Sequence, residues 1–206
     1  FVEIQLILSF IAASVLLTVM PGPDNIFVLT QSITRGAKTG IIISFGLVSG
    51  VLVHTAIAAT GLSIVLMQSK MAYTVVLYAG AAYLVYLAFM ATKEKAVNLE
   101  NGNVEYSTLN KVKLVRVGFL MNVLNPKVTL FFVAFLPQFV TSDGWPLATQ
   151  FSVLGSVFIL QAFVIFSIIA ALAGRLNAYL NDQRFWAITK WSKVVILLLL
   201  AIFLLL

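Results

Sequence analysis

Asp24 and Lys127 stand well inside apolar sequence, each beside residues that break helices: Pro21-Gly22-Pro23-Asp24-Asn25 and Asn125-Pro126-Lys127. A carboxylate or an ammonium at such depth in lipid costs about 2.5–3.5 kcal/mol on insertion scales, so each needs compensation. A proline removes a backbone donor and frees the carbonyl one turn upstream. In a bilayer such a carbonyl persists only where protein or a cavity satisfies it. The carbonyls around Leu17 and Val19 are therefore candidate acceptors for a cation or an ammonium. After Pro23 the helix restarts, and Asp24 and Asn25 fall near an N-terminus with free N–H groups. Together the two interruptions hold one negative and one positive charge, the complement of a zwitterion. A salt bridge between Asp24 and Lys127 is the alternative, and a zwitterion inserting its own charges would open it.

Other polar groups lie where they could assist. His54 falls near the middle of an apolar run, and an imidazole's ordinary pKa near neutrality suits a proton relay. A single histidine packed and hydrogen-bonded to a neighbouring helix is the competing reading. Asn122, Gln138 and Gln161 either donate to a substrate or tie helices together. Asp24 is the first choice for a proton carrier and His54 the second. Pro21, Gly22, Pro23, Asn25, Asn122, Asn125, Pro126 and Gln161 complete the candidate substrate-binding set around Asp24 and Lys127.

The elements that carry these groups are set by composition. Of 206 residues 61% are hydrophobic and 10% charged, and mean hydropathy is +1.06. A soluble fold of this length could not hide so much apolar surface. Six runs meet the length of a membrane span: Ile4–Thr30, Gly40–Met67, Ala72–Ala91, Val117–Val140, Leu147–Leu172 and Trp186–Leu206. The first is too long, and too poor in leading basic residues, for a signal peptide. The last is the weakest, because Lys190 and Lys193 must snorkel beside Trp186 and Trp191 for it to cross; a five-span arrangement is the alternative. Its Leu-rich end, 196–206, reads as lipid-facing.

The first, third and fifth loops hold eleven basic residues, against Lys70 alone on the other side. The positive-inside rule then places those loops in the cytoplasm and both termini in the periplasm. The stretch 93–115 reads as a mobile cytoplasmic loop. The net charge of +6 is thereby a matter of topology and does not point to nucleic acid. No cysteine is present and only one histidine, so no metal site or cofactor is expected.

Three spans per half would insert a duplicated half upside down. A shift of 105 residues sets Pro21 over Pro126 and Gly50 over Gly155, as inverted repeats of approximately 1–92 and 109–206 would. The expected fold is one all-α transmembrane domain of six helices, with the first and fourth broken. Gly36-x-x-x-Gly40 and Gly46-x-x-x-Gly50 fit close helix approach, the second pair against the broken first helix.

The chain resembles the lysine-exporter and homoserine/threonine-efflux (LysE/RhtB) family of amino-acid exporters. The resemblance rests on Met20-Pro21-Gly22-Pro23-Asp24-Asn25, Arg35-Gly36-Ala37-Lys38-Thr39-Gly40, Gly46 to Gly50 with Gly61-Leu62, and 80–87. It continues through Gly118-Phe119, Asn122, Asn125-Pro126-Lys127 and Leu136-Pro137-Gln138-Phe139. It implies a bacterial inner-membrane exporter of small amino acids or their derivatives, driven by proton antiport. The family often carries Asn where this chain has Asp24, and His54 is not part of its pattern. A homodimer is a reasonable expectation. A channel, or a membrane-embedded enzyme using Asp24, Lys127 and His54, remains the alternative, although nothing in the residues specifies a chemistry.

Overall fold

The computed structural model describes residues 4–62, 69–94, 110–141, 144–177 and 182–205. Among them every regular element is helical: α1 Ile4–Val19, α2 Pro23–Arg35, α3 Ala37–Ile57, α4 Lys70–Thr92, α5 Lys111–Val123, α6 Pro126–Leu130, α7 Leu147–Leu176 and α8 Gln183–Leu205. A π turn, Ala58–Leu62, extends α3; a second, Phe131–Phe135, and a 3-10 turn, Leu136–Phe139, extend α6.

Four helices are long and apolar enough to cross a membrane: Ala37–Gly61, Met71–Thr92, Leu147–Leu176 and Gln183–Leu205. Two bent pairs, α1 with α2 at 58° and α5 with the 126–139 segment at 50°, raise the number to six if each pair is one span. The chain is an all-α multi-pass membrane protein, and both bends fall at the proline-containing interruptions. The last span forms a continuous helix of 23 residues, about 34 Å long at 1.5 Å per residue, which exceeds a typical hydrocarbon core.

Several boundaries differ from the expected ones, for local reasons. α5 starts at Lys111 rather than near Val117, because Asn110 caps it: its Oδ1 accepts from the Lys113 N–H at 2.9 Å. Part of the expected 93–115 loop is thus helix, and the stretch 95–109 lies outside the described residues. Only Gly36 separates α2 from α3; its φ of +85° is a conformation L side chains rarely adopt. The Leu-rich end of α8 is not wholly lipid-facing, since Leu197, Leu200, Ala201 and Leu204 are buried where α8 packs on α4.

The Gly46/Gly50 pair packs on the fourth span, not on the first. A Cβ on Gly46 would meet the Val115 backbone, and one on Gly50 the Asn122 side chain and the Phe119 carbonyl. Gly118 answers from α5, where a Cβ would meet the Ile43 carbonyl of α3. Three glycines thus bring two backbones together where dispersion and close packing hold membrane helices. Gly46→Val is expected to cost about 1–3 kcal/mol by overpacking, seen as a lower melting temperature in detergent. An unchanged melting temperature would show that the helices need not approach so closely.

The two halves pack in an exchangeable pattern. The second span, α3, packs on the first half of the broken fourth, while α7 of the fifth packs on both parts of the broken first. Across the halves, α3 packs on α7 and α4 on α8.

Candidate functional site

At the first break, the prolines leave a set of carbonyls whose partners can be followed one by one. Pro21 has no N–H to give Leu17, whose carbonyl instead accepts from Lys127 Nζ at 3.1 Å. The same ammonium donates to the Met20 carbonyl at 3.3 Å. The Thr18 carbonyl accepts from Asn25 Nδ2 at 2.8 Å, so Asn25 reaches back across the gap. The expected ammonium acceptors are thus present, with Met20 rather than Val19 as the second, and the chain's own lysine occupies them.

At the second break, Pro126 frees the Asn122 carbonyl, which accepts from the Asn125 N–H at 2.9 Å and faces His54 Nε2 at 3.2 Å. With a carbonyl opposite, His54 Nε2 carries the hydrogen and donates. Asn125 caps α6, its Oδ1 accepting from the Lys127 N–H at 3.0 Å, while its Nδ2 donates to Asp24 Oδ2 at 2.6 Å. Gln161 supports the first break from α7, donating to Thr18 Oγ1 at 2.9 Å and more distantly to the Ser14 carbonyl at 3.4 Å. His54 and Gln161, from the second and fifth spans, each bond to the helix upstream of one break, His54 to a freed carbonyl and Gln161 chiefly to the Thr18 hydroxyl. Gln138 lies elsewhere and ties the end of the fourth span to the Leu204 carbonyl at 2.9 Å.

Asp24 and Lys127 do not pair directly. Among the described residues the only ion pair is Lys193 with Glu94. Each buried charge rests instead against the helix end that favours it. Asp24 lies in the first turn of α2, at the positive end of that helix, and the Lys127 ammonium lies on the last carbonyls of α1, at its negative end. That arrangement, with the Asn125 bond, is how the interior tolerates a carboxylate 2% exposed and a lysine 9% exposed.

The two helix restarts are built alike. Pro23 opens α2 as Pro126 opens α6, a separation of 103 residues, and the same shift sets Asp24 over Lys127. Pro21, aligned with Pro126 in the sequence reading, belongs to the gap. Each charge directly follows the proline that opens its helix, and the two have opposite sign.

Two cavities meet at the first break. The inner one, about 10 Å³, is lined by Thr18, Asp24, Asn122 and Lys127, with Val48, Val51, Phe158 and Phe166 among its apolar walls. It has room for about one water and no more. Asp24 Oδ1 and Asn122 Oδ1 are buried without a hydrogen-bond partner, so two acceptors stand ready for a donor in a space that also holds a cation. The outer cavity, about 640 Å³ and open to the outside, runs from Gln183, Trp186 and Lys193 to a floor at Pro21, Gly22 and Pro23.

Gly22 is the partition between them. Its backbone is extended, φ −158° and ψ −178°, which any residue adopts. The need for glycine is instead the missing side chain: a Cβ there would point at Lys127 Nζ, 3.4 Å away. Gly22→Ala fits at ordinary contact distance, whereas the larger Gly22→Val should block the way to Lys127 with little change in folding. About a ten-fold fall in transport is expected for Gly22→Val, equivalent to ~1.4 kcal/mol. Substrate counterflow with quantified reconstitution checks it, and parental rates in that variant would remove Gly22 from the path.

Away from the outer cavity, the inner one is sealed by rings. Phe10 of α1 packs on Phe131 and Phe139 at centroid distances of 5.8 and 5.3 Å, and Phe158 on Phe131 and Phe132 at 5.6 and 5.3 Å. Phe158, a wall of the inner cavity, joins it to this cluster of rings.

Of the residues singled out in the sequence, Asp24, Asn122 and Lys127 line the inner cavity, and Pro21, Gly22 and Pro23 floor the outer one. Asn25, Asn125 and Gln161 hold the breaks in shape, and Pro126 starts α6. Thr18 and Glu94 give no sign of a role in the sequence, and Trp186, read there as an interfacial residue, lines the outer cavity. Thr18 gives no signal in an apolar run, and Glu94 is brought to Lys193 only by the fold.

A family model described as LysE type translocator matches residues 15–206. An uncharacterized membrane protein YrhP of Bacillus subtilis (strain 168) is 28% identical over 93% of this chain and 94% of its own length. An uncharacterized membrane protein of Vibrio cholerae serotype O1 is 29% identical over 93% of this chain and 91% of its own. The homoserine/homoserine lactone efflux protein of Salmonella typhimurium (strain LT2) is 28% identical over 85% of this chain and 84% of its own. No solved structure matches significantly. With both breaks and both buried charges inside the matched region, this chain belongs to the LysE type translocator family, whose members are transporters and not enzymes.

Proposed function

We propose that this protein exports a small amino acid, or a close derivative that keeps the free carboxylate, from the cytoplasm by proton antiport with alternating access. The observation that carries the reading is the pair of unlike charges, Asp24 and Lys127, each just after the proline that restarts a broken helix, beside a cavity too small for substrate. Lys127 receives the substrate carboxylate. As its ammonium swings from the Leu17 and Met20 carbonyls, those carbonyls, with Asp24 Oδ1 and Asn122 Oδ1, become acceptors for the substrate ammonium. Asp24 is the proton carrier, because a protonated carboxyl and a bound ammonium compete for the same place. His54 acts as a positioning residue, since its Nε2 hydrogen is engaged by the Asn122 carbonyl.

In this reading the halves are inverted repeats that rock about the site. Loop charge puts the outer cavity on the cytoplasmic side and the phenylalanine seal on the periplasmic side of an inner membrane. The form described is then closed to the periplasm and open to the cytoplasm as far as Gly22. The homoserine/homoserine lactone efflux relatives make homoserine the first substrate to try. Saturable, proton-dependent counterflow of radiolabelled amino acids in proteoliposomes, with homoserine included in the screen, is the test. Non-saturable flux would favour a channel, and no flux of any amino acid would overturn the proposal.

A further inference from the structure

The outer cavity carries chemistry that the central site does not use. Lys193 enters it from α8 and pairs with Glu94, which follows the end of α4. The lysine side chain is 17% exposed and the glutamate 51%, so this pair is reachable by water yet partly shielded. Thr189 and Trp186, one turn and two turns earlier on α8, line the same cavity. The sequence alone suggests that Lys193 snorkels to a membrane interface; the fold turns it inward over the approach to Gly22. The cavity, at about 640 Å³, is within the range of small-molecule sites. It presents two ammoniums, Lys190 and Lys193, and one carboxylate, Glu94; Lys190 lies over the Trp191 ring at 5.7 Å, and among the described residues Lys193 is the cation that pairs with Glu94.

We propose that this cavity is a loading site for the zwitterionic head of a free α-amino acid, distinct from the site at Asp24 and Lys127. The substrate carboxylate takes Lys193 and its ammonium takes Glu94, so the resting ion pair is exchanged for two pairs with substrate. Trp186 flanks the bound molecule, and Gly22 lies between it and Lys127. The proposal rests on the exporter reading. It adds a selection step: a ligand without a free carboxylate gains nothing from opening the pair, whatever its side chain. A partly exposed pair exchanges at small net cost, whereas a buried one would not.

The chain's lack of cysteine provides the test. Thr189→Cys is introduced alone and with Lys193→Gln, and labelled in proteoliposomes by a thiol reagent. The probes are the α-amino acid with the fastest counterflow and its methyl ester. The amino acid should protect Thr189→Cys from labelling and the ester should not; Lys193→Gln should abolish that protection. Lys193→Gln should also raise the half-saturating concentration on the cavity side about ten-fold with the maximal rate unchanged, as loss of a partly exposed charge-assisted hydrogen bond implies. Equal protection by acid and ester, or an unchanged half-saturation in Lys193→Gln, overturns the loading site and leaves the exporter intact. A lower maximal rate alone does the same, because it marks a structural role. Absence of counterflow in the unsubstituted protein is the separate result that overturns the exporter reading.

Discussion

Lys127→Ala is expected to abolish substrate binding. The ammonium is the sole cation lining the inner cavity among the described residues, and no other described lysine or arginine side chain is buried. A charge-assisted hydrogen bond contributes about 1.5–3 kcal/mol, so its loss weakens affinity by roughly ten- to a hundred-fold before any wider effect. The substitution also strips the donor from the Leu17 and Met20 carbonyls. Each buried carbonyl left without a partner costs about 1–3 kcal/mol, although water entering the space of the lost side chain would soften this. Melting temperature must therefore be followed alongside binding. Direct binding of the transported amino acid to purified protein is the measurement, and wild-type affinity in a folded variant would defeat the assignment.

Asp24→Asn should uncouple the protein from the proton gradient while leaving it folded. Asparagine has nearly the same shape, and its amide oxygen can still accept from Asn125 Nδ2, so the contact between the breaks survives. What disappears is a proton-binding group and a negative charge at the start of α2, the latter contributing about 0.3–1 kcal/mol to the helix. Counterflow, which needs no net driving force, should persist; uphill transport driven by an imposed pH gradient should fall to the level of protein-free vesicles. If gradient-driven transport continues at the parental rate, the proton is carried elsewhere.

The breaks and their cost were legible in the sequence, because proline, glycine and charge inside apolar runs have few physical meanings in lipid. The depth of Lys127 was legible for the same reason, as were the carbonyls upstream of Pro21. The partners were not. Sequence separation cannot say whether Lys127 meets Asp24 or the end of α1; the helix-end carbonyls decide that, and they exist only once α1 stops at Val19. The 105-residue shift was read from prolines alone; where each helix restarts is not legible that way, and it is Pro23 and Pro126 that open α2 and α6. The Gly46/Gly50 stripe announces a close approach without naming its partner, and Val115 and Asn122 of α5 supply it. The outer cavity was out of reach for a further reason: Lys193 reads as an interfacial charge, and only the fold brings it to Glu94, 99 residues away.

The lysine that completes the first break has a consequence for biogenesis. Leu17 and Lys127 are separated by 110 residues, and ribosomes add about 5–20 residues per second. For roughly 5–20 s after the first span leaves the ribosome, the acceptor freed by Pro21 has no lysine to meet. Insertion of that span cannot be finished in the order of translation. It reaches its final form only when a helix of the other half arrives, so this span is completed by a segment made well after it.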